Sequence, residues 1–136
     1  MPSFDLDRFV TAQEGVWPQA LAELRAGRKR SHWMWFVFPQ IAGLGRSPMA
    51  VRYALASREE AAAYLARPLL GGRYRAAVAA LLALDTTDAK AILGAVDAMK
   101  LRSSLTLFHA ASDDPLFAQA IDRFFATPDA ATLRLL

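Results

Sequence analysis

Apolar residues recur along the chain in short blocks at helical spacing, each bounded by turn and cap signals. Leu6, Phe9, Val10 and Gln13 predict a first helix over Asp5–Glu14, capped by Ser3 and closed by Gly15. Trp17-Pro18 opens a second, Leu21 and Leu24 continue its face, and Gly27 suits a left-handed cap before the basic turn Arg28-Lys29-Arg30. The run Ser31–Phe38, SHWMWFVF, is too continuous to show a period, so a buried strand and a short buried helix both fit. Ser31 as a cap and the helical surroundings favour the helix, with Pro39 forcing Phe38 out of helical geometry. Gln40–Arg46 is a loop.

Beyond it the punctuation becomes regular. Ser47-Pro48 is a cap followed by a first-turn proline, Ser57 with Glu60 forms a capping box, and Pro68 with Gly71-Gly72 separates that helix from one over Tyr74–Leu84. After Asp85 and the Thr86-Thr87 turn come a short helix, Asp88–Leu93, stopped by Gly94, and a long one, Ala95–Ala111, striped by Leu101, Leu105 and Phe108. Ser112 caps the next, with Pro115 in its first turn and Phe117, Ile121, Phe124 and Phe125 facing inward; Thr127-Pro128 starts the last. With no repeat, heptad or long linker, the expectation is an all-α fold: one domain over residues 1–136, an orthogonal bundle of seven or eight short helices.

Composition strengthens this: 28 Ala and 19 Leu stand against nine Val and Ile in 136 residues, and 54% apolar content supplies a core. The absence of Cys excludes disulfides, thiolate metal sites and thiol nucleophiles, and two histidines make zinc a poor expectation, so no metal or cofactor is assigned. Asp5, Asp7 and Arg8 interrupt any signal-like run and no stretch reaches the ~18 apolar residues of a membrane span, which points to a cytoplasmic protein without a membrane partner.

Charge changes the picture most. Arg25–Arg75 holds ten Arg or Lys against Glu59 and Glu60, a local +8, whereas the remainder holds six basic and eleven acidic residues. Such a segment suits an anionic ligand or nucleic acid; a solvated Arg-rich surface is the plain alternative.

Three places can carry chemistry. In the first, Lys29, Arg30 and His32 adjoin Trp33, Trp35, Phe36, Phe38 and Gln40, so cations that neutralise phosphate stand beside rings that stack a base, although such aromatics also serve as core anchors. Two residues apart on a helix, Trp33 and Trp35 point to different faces, so one is the better ligand platform. His32 beside cations is a candidate base; His109, near a helix end, reads as structural. In the second, Gly43, Gly45 and Arg46 precede a helix start at Ser47-Pro48, where bare backbone, a cation and free amides suit an anion, with an ordinary loop as the alternative. The spacing matches neither a Walker nor a dinucleotide fingerprint. In the third, Asp97, Lys100 and Ser104 share a face of the long helix, next to Arg102 and Ser103: Lys100 and Arg102 would bind an anion, the serines would donate hydrogen bonds, and an Asp97–Lys100 surface pair is the alternative.

The run Lys29–Gln40, then Gly43-Leu44-Gly45 and Ser47, Glu60-Ala61, Tyr64-Leu65, Pro68, Leu70-Gly71 and Lys100–Phe108 resemble, over nearly the whole chain, the bacterial domain of unknown function family 1810. The resemblance implies a mainly helical fold and no particular reaction. Members often carry the label calpastatin, but calpain-inhibitory segments are extended, repetitive and disordered, unlike this apolar chain. The helix bearing Lys100, followed by Ser112-Asp113-Asp114, is also faintly similar to helical glycosidases that process ADP-ribosyl groups, without a placeable catalytic Glu.

The combined expectation is a protein that binds a phosphorylated or nucleotide-like molecule in a cleft between the aromatic run and the long helix. A hydrolase acting on that molecule, with His32 or Asp97 moving the proton, is its enzymatic form. The alternative is a nucleic-acid-binding or regulatory interaction module using the same basic segment, with oligomeric state left open.

Overall fold

The computed structural model describes residues 4–136, and its ten helices follow the punctuation closely. They are α1 (Asp7–Gln13), α2 (Trp17–Ala26), α3 (Met34–Val37), α4 (Pro48–Arg52), α5 (Arg58–Ala66), α6 (Pro68–Leu82), α7 (Ala89–Leu93), α8 (Ala95–Ala111), α9 (Pro115–Phe124) and α10 (Ala130–Arg134). The fold is all-α, as composition and capping predict. Ser3, the expected first cap, lies outside the described residues. Among those described, no helix is long and apolar enough to cross a membrane.

Caps set most boundaries. The Ser47, Asp88, Asp114 and Asp129 side chains accept amides of Ala50, Ala91, Leu116 and Thr132, satisfying donors that open each helix. Ser57 accepts the Glu60 amide while Glu60 Oε1 accepts the Ala56 amide at 2.7 Å, a reciprocal box displaced by one residue. Ser112 does not cap α9 directly; its hydroxyl accepts the Asp114 amide and so places the true cap.

Three expectations are corrected. Ser31 caps nothing: α3 is only four residues long and starts behind Trp33, because the Ser31 hydroxyl donates to Glu23 instead. Gly71 and Gly72 do not separate helices but lie inside α6, which begins at Pro68. A side chain at Gly71 would meet the Leu65 carbonyl oxygen at 2.0 Å, so glycine there lets α6 fold back on the end of α5. Phe124 and Phe125, expected inside, are half-buried.

The core is an aromatic chain that runs through the bundle. Phe9 meets Tyr64 edge-on at 5.1 Å between centroids, Tyr64 meets Phe108 at 5.3 Å, and Phe108 meets Tyr74 at 4.1 Å. Both buried phenols find partners: Gln13 Nε2 donates to the Tyr64 hydroxyl and to the Phe36 carbonyl, and the Tyr74 hydroxyl pairs with Ser104 at 2.8 Å. Burial pushes both Tyr hydroxyls well above their ordinary pKa, so they stay neutral.

One buried carboxylate shapes the entrance to the aromatic run. Glu23, in the last turn of α2, is 7% exposed. Gly27, at φ 74°, ends the helix and turns the chain back over it. Glu23 Oε1 then accepts the Arg30 amide at 2.8 Å, the Ser31 amide at 3.0 Å and the Trp33 indole at 2.9 Å, while Oε2 accepts the Ser31 hydroxyl at 2.6 Å. Burial alone would raise its pKa, but the Ser31 hydroxyl, Arg30 amide and Trp33 indole together lower it from 4.5 to about 2.

Two outcomes follow. Because the folded pKa is depressed, this stability is complete above pH 4.5 and is lost as pH falls towards 2, worth roughly 3 kcal/mol. Glu23→Ala, which strands buried donors, should cost about 3 kcal/mol or more in urea melts at pH 7 and flatten the acid limb. An unchanged midpoint would contradict this role. Second, a Cβ at Gly45 would stand 2.5 Å from Ala50 Cβ, so Gly45→Ala should cost about 1–3 kcal/mol. Ala50→Gly in that background should recover most of the loss, apart from about 1 kcal/mol for glycine in a helix; no recovery would show that the clash is not the cause.

Candidate functional site

The turn fixed by Glu23 brings Lys29 against α8. Its amide donates to the Ile92 carbonyl at 2.8 Å, and its ammonium pairs with Asp97 Oδ2 at 2.9 Å. Asp97 sits in the first turn of α8, where a carboxylate also suits the helix dipole. Lys100, one turn later, approaches Asp97 Oδ1 at 3.6 Å. The two lysines therefore flank one carboxylate. Each also covers a tryptophan: Lys29 Nζ lies 5.1 Å from the Trp33 ring centre and Lys100 Nζ 5.2 Å from that of Trp35.

The tryptophans divide as their spacing predicts. Trp33 is fully buried, with its indole N–H bound to Glu23, and is a core anchor. Trp35 is half-buried beneath the Lys100 ammonium.

Beside this cluster lies a groove of about 300 Å³, lined by Gln40, Leu44, Gly45 and Asp129 and, from α8, by Val96, Met99, Lys100 and Ser103. Its lip is placed by a short parallel bridge between Ile41 and Leu55, in which Leu55 donates to the Gln40 carbonyl at 2.9 Å and Ala42 donates to the Leu55 carbonyl at 2.8 Å. The bridge holds Leu44 and Gly45 of the glycine loop across the groove from α8. Val96 and Met99 are 68% and 71% exposed, an apolar rim on an otherwise mixed surface.

The aromatic run and the long helix meet through the Lys29–Asp97 and Lys100–Trp35 contacts, but no aromatic residue among those described lines the groove, and of the expected site residues only Gln40, Gly45, Lys100 and Ser103 do. Arg102 donates to the Thr127 carbonyl at 3.0 Å, the Thr127 hydroxyl at 2.7 Å and the Pro128 carbonyl, tying the α9–α10 connection to α8. Ser104 is buried against Tyr74. The Ser103 hydroxyl, although its residue is on the groove wall, has its one proton shared between the Met99 carbonyl at 3.1 Å and Asp129 Oδ2 at 3.3 Å. Arg30, His32 and Arg46 are exposed and none of them lines the groove. Gly43 approaches Leu135, and Gly45 gives room to Ala50, so both glycines serve the protein's own packing. The Ala50 amide at the start of α4 is taken by Ser47.

Two functional residues escape sequence reasoning. Glu23 carries a weak signal, an acid three residues from buried Ala20 on an apolar helix face. Asp129 is passed over because Thr127-Pro128 is expected to start the last helix; α10 instead begins at Ala130 with Asp129 as its N-cap, and the place of Asp129 in the groove wall depends on how α10 packs on α8. Among the described residues, no group of three or more His, Asp or Glu is placed to hold a metal ion.

Charge is also redistributed. Lys29, Arg67 and Arg75 of the basic segment pair with Asp97, Asp7 and Asp114 of the acidic remainder. The Arg75 guanidinium, with the Leu116 amide, holds the Asp114 carboxyl below its usual range. Three of the ten cations in the basic segment are thus answered from the acidic remainder.

Comparison with known proteins agrees with this architecture. The crystal structure of the conserved hypothetical protein Rv1873 from Mycobacterium tuberculosis matches with a TM-score of 0.96 at 47% sequence identity, over 98% of this chain and 96% of that one. A search of curated proteins finds no match. A family model described as "Protein of unknown function (DUF1810)" matches residues 3–136. The chain belongs to that family.

Proposed function

We propose that the protein binds a small phosphorylated or nucleotide-like anion in the groove between the glycine loop and α8. The observation that carries this reading is the Lys100 ammonium. It lines the groove, keeps about a quarter of its side chain exposed, and makes no hydrogen bond among the described residues, its nearest carboxylate oxygen being 3.6 Å away. Trp35 and Asp97 hold it in place without consuming its donors. Leu44, Val96, Met99 and Ala131 supply apolar walls for the rest of the ligand.

Size narrows the class. A groove of about 300 Å³ is at the lower end of the ~300–1,000 Å³ typical of small-molecule sites, so a sugar phosphate or single nucleotide suits it better than a dinucleotide. Such a ligand implies the cytoplasm as the working compartment.

Binding is better supported than hydrolysis. Asp97 is clamped by two lysines, and neither it nor His32 lines the groove. A nucleic-acid surface has less support, since none of the described aromatic residues is fully exposed for base stacking.

Thermal-shift screening of nucleotides, sugar phosphates and ADP-ribose derivatives should find stabilisation of several degrees at saturating ligand. Lys100→Met should remove the ligand response while the unliganded protein melts within a few degrees of wild type. Uniform absence of stabilisation, or a response that survives Lys100→Met, would sink the proposal.

A further inference from the structure

Asp129 lines the same groove as Lys100, and its two carboxylate oxygens are used unequally. Oδ2 accepts the Thr132 hydroxyl at 2.6 Å, the Thr132 amide at 3.0 Å and the Ser103 hydroxyl at 3.3 Å. Oδ1 has no hydrogen-bond partner among the described residues. The cap of α10 therefore needs only one oxygen. A second contact fixes the residue independently, its amide donating to Thr106 Oγ1 at 2.8 Å. Thr106, in turn, donates to the Arg102 carbonyl at 2.8 Å on α8. The carboxylate is held rigidly with half of its accepting capacity unspent.

The neighbouring polar groups are similarly unspent. Gln40 lines the groove, and its side-chain amide makes no hydrogen bond among the described residues, its backbone carbonyl alone being used in the Leu55 bridge. Lys100 offers donors and Asp129 an acceptor on one concave surface whose remaining walls are apolar. In formal charge, Lys29 and Lys100 are balanced by Asp97 and Asp129. A bare dianion gains little from a neutral site. A molecule with an anion at one end and a donor at the other satisfies both unspent groups.

We infer that Asp129 Oδ1 is a second recognition point, taking a hydrogen-bond donor of the ligand whose anion lies at Lys100. The site then selects a phosphorylated molecule that also carries hydroxyl or ammonium groups. This rests on the anion reading of Lys100 and adds to it a discriminating residue.

Asp129→Asn is a suitable variant because Asn is an equally good N-cap. Its amide oxygen can keep the Thr132 contacts while its NH₂ replaces the unpartnered acceptor Oδ1. Backbone-amide shift titrations would compare inorganic phosphate, ribose 5-phosphate and phosphoethanolamine on wild type and variant, with urea melts confirming the variant's fold. Ribose 5-phosphate or phosphoethanolamine should bind wild type about tenfold more tightly than phosphate, by one hydrogen bond to a charged group. Which of the two gains identifies hydroxyl or ammonium as the donor. Asp129→Asn should erase the gain of phosphoethanolamine, whose ammonium only donates, and shrink that of ribose 5-phosphate, whose hydroxyls can still accept from the new NH₂, without weakening phosphate binding. Equal affinities on wild type, or a gain undiminished in the variant, would overturn the role of Asp129 while leaving phosphate at Lys100 intact. Absence of shifts around the groove with all three compounds would overturn the anion reading and this inference together.

Discussion

A buried carboxylate paired with hydrogen-bond donors rather than with a cation is the constraint on which the site depends. Glu23 draws in two amides, a hydroxyl and an indole within eleven residues of chain. Five donors, the Gln19 side-chain amide among them, can offset the desolvation of one charge, and the four that follow Glu23 in the chain dictate the path of residues 30–33. Where that path leads is what matters for function: it points Lys29 towards α8, seats Trp33 in the core and leaves Trp35 at the edge.

The Lys29–Asp97–Lys100 ladder is the second level of the same construction. Lys29 has 9% and Asp97 19% of its side chain exposed, so their pair joins the turn to the long helix in a largely desolvated setting. Opposing charges make the junction specific more than strong. Lys100, on the outer side, keeps its donors for something else. The charge split along the chain reflects in part complementarity between its segments, whereas the cation on the groove, Lys100, comes from the otherwise acidic remainder.

Much of the fold was legible because helix starts are local events. Ser47, Ser57 and Asp88 announce their helices through side chains that bond amides two or three residues ahead. Ser31 and Gly71 misled because their surroundings are tertiary: one hydroxyl found Glu23 on another helix, and one glycine makes room for a carbonyl at the end of α5. In the site, the convergence of Lys29, Trp35, Asp97 and Lys100 was foreshadowed by helical spacing and by aromatics beside cations. Arg102 was not separable from Lys100 by type or spacing, since only the position of Thr127 and Pro128 decides that its guanidinium is spent. Asp129 was hidden for the converse reason, as a capping residue whose second oxygen gains meaning only from the groove.

The central claim is that Lys100 is the anion anchor. The chain contains only three lysines, Lys29, Lys90 and Lys100, so a protein labelled with ¹³C at lysine Cε gives three signals that can be followed separately. During titration with ribose 5-phosphate at moderate salt, the account predicts a saturable shift of the Lys100 signal, a smaller shift of Lys29 transmitted through Asp97, and a stationary Lys90. A shift confined to Lys90, or none at Lys100 under conditions in which the ligand binds, would contradict it.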